Sequence, residues 1–311
     1  MRRAATALAT LAIAAGAVAV AVGSSHASYP RCFGAASRDR LHPCHNPALD
    51  LMVRPSVNDA PLQPSARCSK IRAARPEVCA FGAVRARATR QVALIGDSHA
   101  VHWRAALDVV ARRRRWDVDA LSESECPFNL AQNALQRPNR ELCAQWKTDV
   151  IDWMAAHPAI HTVIVSEHHG IPIIRDPGKT RLQTEIDGYI AAWNALPATV
   201  RRIVVVRDPP YNAANWQQCI SRALAHHRPP GVRCRTPRSI VLHSDVAVVA
   251  AHQLASPRVR VVDLTSFFCD ARSCFPVIGG ALVHRDHGHL STTYSATLGP
   301  YLGRALDRAL R

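Results

Sequence analysis

From Gln91 onward, short apolar runs alternate with segments whose apolar positions recur at helical spacing. The runs Val92–Ile95, Val118–Leu121, Thr162–Val165, Arg202–Val206 and Val259–Val262 are rich in β-branched residues, as strands buried on both faces are. Between and after them, His99–Arg112, Leu142–Ala156, Thr180–Leu196, Ser239–Ala255 and Ser291–Leu310 carry helical patterns. Strand–helix alternation predicts an α/β domain over residues 91–311. Its parallel sheet would be covered on both faces, with any site at the carboxyl ends of the strands. Residues 28–90 differ: they are Pro-rich, carry four cysteines and show little periodicity. They read as a disulfide-rich N-terminal extension pinned against the main domain.

The first 27 residues have a different pattern again. Arg2 and Arg3 precede an apolar, Ala-rich run from Ala4 to Val22, and Ser25-His26-Ala27 is a small-x-small cleavage signal. A signal peptide cleaved after Ala27 is expected. The run could also just span a bilayer, so an uncleaved N-terminal anchor is the alternative. Either way the remainder would be secreted or held at the cell envelope, outside the cytoplasmic membrane. The ten cysteines agree with export, since an even count at scattered spacings in an exported chain reads as disulfides. No C-x-x-C pair supports a zinc site.

The net charge of +16 and pI near 10.2 come almost entirely from arginine. Such a surface attracts anionic polymers or lipid headgroups at long range. A GC-rich coding bias would enrich arginine equally well. No nucleic-acid-binding motif accompanies the charge, and the expected compartment argues against nucleic acid as a partner. The run Arg112 to Arg115 places cations at a helix end, where they complement the helix dipole.

The candidate chemistry lies at two distant points. The run Val92–Ile95 leads through Gly96-Asp97-Ser98-His99 into a helical pattern. A serine at such a turn sits beside the unpaired N–H groups of the first helical turn, which favour negative charge. That is the setting a nucleophilic serine needs, although Ser98 could equally be a helix cap. Near the C-terminus, Asp286 and His289 stand three residues apart, so one carboxylate can reach the imidazole and leave its other nitrogen for a serine proton. His284, Asp286, His287 and His289 could also be read as metal ligands, but no H-E-x-x-H or matching carboxylate group supports this, and no metal or other cofactor is expected. The α/β-hydrolase alternative needs G-x-S-x-G, and position 100 is Ala.

Serine early and Asp-x-x-His late resembles the SGNH (GDSL-type) hydrolases, in particular the SGNH domain fused to bacterial acyltransferase-3 membrane proteins. The residues that carry the resemblance are Gly96-Asp97-Ser98-His99-Ala100, Cys126-Pro127, Cys143 with Trp146, Asp208-Pro209-Pro210 with Cys219, and Phe268-Cys269 through Cys274. Gly279-Gly280 leading into Asp286-x-x-His289-Leu290 completes the set. The resemblance implies a flavodoxin-like three-layer α/β/α fold with a five-stranded parallel sheet. It implies Ser98 as nucleophile, His289 as general base and Asp286 as its orienting carboxylate. With local pairing, it favours the disulfides Cys32–Cys44, Cys68–Cys79, Cys126–Cys143, Cys219–Cys234 and Cys269–Cys274.

The implied activity is that of an exported serine esterase or O-acyltransferase acting on acyl groups, notably acetyl, of an envelope polysaccharide or glycolipid. For transfer, a separate membrane protein would deliver the acyl group. The chain departs from the family at the oxyanion hole. Ser122-Glu123-Ser124 stands where a glycine is usual, and Ser166-Glu167-His168-His169 where an asparagine is usual. The Ser98 N–H, N–H groups around Ser122 to Ser124, and the side chains of His168 or His169 are the candidate donors. His168 and His169 could instead be an exposed loop pair. Missing donors would also fit a different class, a catalytically impaired envelope-glycan-binding protein.

Overall fold

In the computed structural model, which describes residues 29–71 and 76–311, seven strands share one sheet. They are β1 (Ser69–Ile71), β2 (Val78–Gly82), β3 (Arg90–Gly96), β4 (Trp116–Ser122), β5 (Thr162–Ser166), β6 (Arg202–Val206) and β8 (Val259–Val262). The two-residue strand β7 (Thr236–Pro237) pairs separately with β9 (Ser273–Cys274), and β10 (Val277–Ile278) with β11 (Ala281–Leu282). The order across the main sheet is β1-β2-β4-β3-β5-β6-β8.

The strands β4, β3, β5, β6 and β8 are parallel and contain the five expected apolar runs. Two antiparallel strands, β1 and β2, extend the sheet beyond β4. β1 (SKI) and β2 (VCAFG) lack the continuous β-branched run that marks the parallel strands, so they do not stand out against the irregular sequence around them.

The helices are α1 (Ser98–Arg114), α2 (Asn139–Ala156), α3 (Arg181–Ala195), α4 (Trp216–Ala225), α5 (Pro230–Arg233), α6 (Arg238–Val241), α7 (Val246–Leu254) and α8 (Thr292–Ala309). Strand side chains alternate between two cores because successive Cβ atoms point to opposite faces. Val92 and Leu94 of β3 pack with Trp103 and Leu107 of α1 and with Leu298 and Leu302 of α8. Ala93 and Ile95 pack on the other face with Trp146 of α2, Trp193 of α3 and Ala250 of α7.

The pattern over 239–255 predicts one helix, but the chain breaks into α6 and α7. Asp245 starts α7 afresh, its Oδ1 accepting the N–H groups of Ala247 and Val248 at 2.9 and 3.3 Å. The short helices α4 and α5 lie in a stretch for which the apolar pattern predicts no element. Their cross-link Cys219–Cys234 is one of five disulfides, with Cys32–Cys44, Cys68–Cys79, Cys126–Cys143 and Cys269–Cys274.

The predicted signal peptide, 1–27, lies outside the described residues. Among those described, no helix is long and apolar enough to cross a membrane. From β3 the chain moves to β4 on one side and then crosses to β5 on the other. The carboxyl end of β3 is therefore the switch point where open α/β sheets leave a crevice.

Candidate active site

Gly96 ends β3 at φ +152°, a backbone conformation that side-chain-bearing residues rarely adopt. A Cβ here would lie 2.1 Å from the Ser166 carbonyl oxygen, so only glycine lets β3 and β5 close up at the turn. Asp97 follows as the cap of α1. Its Oδ1 accepts the His99 N–H at 2.7 Å, and its Oδ2 accepts the His168 N–H from the loop after β5 at 2.9 Å. Capping therefore falls to Asp97. Ser98 is left as the first residue of the helix, where N–H groups lack intrahelical acceptors.

The loop after β11 brings the second half of the site. It is folded back on itself by Arg285 N–H donating to the His289 carbonyl and Ser291 N–H to the Val283 carbonyl, each at 2.9 Å. Within it, Asp286 Oδ1 accepts the N–H groups of Gly288 and His289 at 3.0 and 2.7 Å. Asp286 Oδ2 lies 2.8 Å from His289 Nδ1, and His289 Nε2 lies 2.8 Å from Ser98 Oγ. Burial works against ionisation of Asp286, but the bonds from the His289 ring and from the two N–H groups outweigh it. The carboxyl is held well below the usual carboxylate range. His284 and His287 do not join this line. His284 is buried and pushed down to about 4 by that burial, and His287 turns its carbonyl to the Asn212 N–H at 2.9 Å.

A second aspartate–histidine arrangement lies directly behind the first. Asp208, two residues past β6, places Oδ1 2.5 Å from His99 Nδ1 and Oδ2 2.7 Å from His169 Nδ1. Asp208 is buried, which would raise its carboxyl. The charge on His99 and the two imidazole bonds prevail and keep it far below its ordinary value. Burial likewise opposes charge on His99, yet Asp208 raises that imidazole above its ordinary value. The rings of His99 and His289 are 4.9 Å apart. The same segment steadies the loop that carries Asp286 and His289. Asn212 donates through Nδ2 to the Asp286 carbonyl at 3.0 Å, and the Tyr211 ring packs against Gly288.

Asp208 enters the sequence reading only within the motif Asp208-Pro209-Pro210, and its position just past a strand's carboxyl end is the further signal; Asn212 carries none. Glu167 was also missed. It is fully enclosed, with Oε1 accepting the Phe128 N–H at 3.1 Å, and burial pushes its carboxyl well above the ordinary value.

The oxyanion candidates are dispersed. Ser122 ends β4, and the turn carrying Ser124 is drawn toward the Gly96–Ser98 turn by Glu123 N–H donating to the Gly96 carbonyl at 3.2 Å. His168 stacks on His99 with centroids 4.6 Å apart. Burial, reinforced by the neighbouring His99 charge, lowers His168 to about 4 and keeps the ring neutral. His169 is held by Asp208 and stacked on Tyr211 at 4.9 Å. Among the described residues, none of Ser122, Ser124, His168 and His169 hydrogen-bonds to Ser98, His289 or Asp286 side chains.

One group has metal-like spacing: donor atoms of His99, His102 and Asp208 lie within 4.8 Å of one another. Asp208, however, already gives both its oxygens to imidazoles.

Among solved structures, the chain is similar to the periplasmic domain of a lipopolysaccharide acetyltransferase from Salmonella ser. Paratyphi A. The two are 13% identical with a TM-score of 0.54, over 71% of this chain and 85% of that one. At that identity the likeness is one of fold. It is also similar to a mutant of Axe2, an acetyl-xylooligosaccharide esterase from Geobacillus Stearmophilus, at 15% identity and a TM-score of 0.39, over 72% of this chain and 96% of that one. No curated protein matches the chain. The model of the SGNH domain (fused to AT3 domains) matches residues 65–304. That match takes in the parallel sheet, the turn with Ser98 and the loop with Asp286 and His289, and the chain belongs to this family of SGNH domains.

Proposed function

We propose that the protein is an exported serine esterase or O-acyltransferase that acts on acyl groups, notably acetyl, carried by cell-envelope glycans. The observation that carries this reading is the unbroken line Asp286–His289–Ser98 at the head of α1, with both contacts at 2.8 Å. In the reaction, Ser98 Oγ attacks the ester carbonyl carbon while its proton passes to His289 Nε2. Asp286 holds Nδ1–H and offsets the imidazolium charge. The carbonyl oxygen becomes an oxyanion facing the Ser98 N–H and the first turn of α1. Collapse breaks the ester bond, the leaving sugar oxygen takes the proton from His289, and the acyl group remains on Ser98. Water, or a second sugar hydroxyl, then attacks that acyl-enzyme with His289 again as base.

His168 is the side chain best placed to add an oxyanion donor, since its ring is neutral and stacks on His99 beside the triad. Export is supported by the N-terminal pattern and by five disulfides with no free cysteine among the described residues. A glycan-borne acyl group is supported by the family match and by the acetyltransferase named among the similar folds. Covalent labelling by a fluorophosphonate tests the reading. The adduct is expected on Ser98, with parallel release of acetate from an aryl acetate. Absence of both labelling and turnover would overturn it in favour of a glycan-binding protein.

A further inference from the structure

Between the two buried aspartates Asp208 and Asp245, the chain contains no acidic residue, but it carries Arg222, Arg228, Arg233, Arg235 and Arg238 together with His226, His227 and His243. In a chain with 23 acidic residues, a gap of this length is a marked local imbalance. The segment forms α4 and α5, closed on each other by Cys219–Cys234. On its surface is a cavity of about 690 Å³ lined by Asn215, Gln218, Arg222, His226, Arg228 and Arg233.

The arginines of this cavity differ from those that bind the fold together. Arg258 is tied to carbonyls of Val200, Trp193, Leu196 and Pro197, and Arg85 to Asp117 and Asp119. Those guanidinium groups hold the protein together. Arg222, Arg228 and Arg233 are exposed, and among the described residues their side chains make neither an ion pair nor a hydrogen bond. Their planar donor forks are free for a carboxylate or a phosphate.

The cavity is also tied to the catalytic loop. Asn212 holds the carbonyls of Asp286 and His287, and Asn215 is only three residues further along, at most about 10 Å of extended chain. We infer that the α4–α5 lobe is a subsite for an anionic glycan, binding carboxylate or phosphate groups on residues that flank the acylated sugar at Ser98. Resting on the esterase reading for the position of that sugar, the inference names the class of polymer that reading leaves open. Binding energy would come from a segment remote from the reacting ester, and the subsite would favour charged over neutral acylated glycans.

The test measures binding and turnover separately. With Ser98→Ala protein, affinity electrophoresis in oligogalacturonate, in poly(glycerol phosphate) and in neutral xylan oligomers reads binding without chemistry. Retention by both polyanions, weakened by salt, and little retention by xylan are expected. The stronger of the two polyanions identifies carboxylate or phosphate as the group recognised. The substitutions Arg222→Gln, Arg228→Gln and Arg233→Gln together should weaken polyanion binding about tenfold. They should leave thermal unfolding and hydrolysis of a neutral aryl acetate unchanged when Ser98 is present.

Arg90→Gln with Arg201→Gln, at the amino-terminal ends of the parallel strands β3 and β6, is the control for overall charge and should change binding less than about twofold. The inference is overturned by equal binding of neutral and anionic oligomers, by the triple variant binding like its parent, or by the control pair losing as much. A DNA duplex bound more tightly than either polyanion would also overturn it. Loss of aryl acetate hydrolysis in the wild type would instead speak against the esterase reading, with the binding result standing by itself.

Discussion

Ser98 does not cap α1, because Asp97 performs that task, and this makes the serine's role separable from its structural surroundings. Ser98→Ala removes only a hydroxyl whose hydrogen-bond partner among the described residues is His289, so the fold should be retained with a stability change within about 1 kcal/mol. Turnover of an aryl acetate should fall to background and the acyl adduct should vanish from the intact mass. A folded variant with native turnover would remove the serine mechanism.

Asp286 should behave differently. Asp286→Asn keeps a group in place but permits the wrong imidazole tautomer, and a loss of about 10²–10⁴ in kcat is expected. Because Asp286 Oδ1 also accepts two loop N–H groups, a calorimetric check that the loop survives belongs with the kinetics. Unchanged hydrolysis in a folded Asp286→Asn protein would leave the aspartate with a structural role alone.

The loops at the carboxyl ends of β3, β5 and β6 are tied to one another by carboxylates. Asp97 joins the first two, Asp208 joins the third to α1, and Asp245 links α7 to Asp208 by accepting its N–H at 2.8 Å. The side chains of the His99–Asp208 pair are 3% and 1% exposed, so neither charge can turn to water if its partner is lost. Asp208→Asn is therefore expected to cost about 1–3 kcal/mol in denaturant unfolding, because the buried rings of His99 and His169 lose the carboxylate that both of them bond. Adding His99→Gln should cost less than the sum of the two single changes, because both act on one hydrogen-bonded group. A single variant as stable as wild type would show that the pair does not hold the strand ends together.

Stability against pH is a property of the whole chain, and Glu185 offers a clean way to read one contribution. Burial raises its carboxyl from 4.5 to about 7, only partly offset by Arg181. The native state thus keeps a proton that the unfolded chain releases, and stability falls as pH rises between about 4.5 and about 7. The full cost, on the order of 3 kcal/mol, is present above that window. Glu185→Gln should unfold at higher denaturant than wild type at pH 8, and the gap should close toward pH 4. A gap that did not vary with pH would mean that the gain came from packing.

The alternation of apolar runs and helical patterns was enough to establish the parallel α/β core. A doubly buried strand such as Val92–Ile95 needs continuous apolar residues, and only covering helices can bury both of its faces. The sequence also singled out Ser98, Asp286 and His289, because a turn after a strand and an i,i+3 carboxylate–imidazole spacing are local features. The structure places these three side chains in one hydrogen-bonded line. The sequence could not show β1 and β2, whose pairing depends on an edge of β4 far along the chain. Nor could it show Asp208 beneath His99, 109 positions apart. A buried charge is tolerated only where another segment supplies its partner, and which segments meet is decided by strand order and helix packing. Local spacing carries no record of that meeting, so the second aspartate–histidine pair and the free arginines of the α4–α5 lobe became visible only in three dimensions.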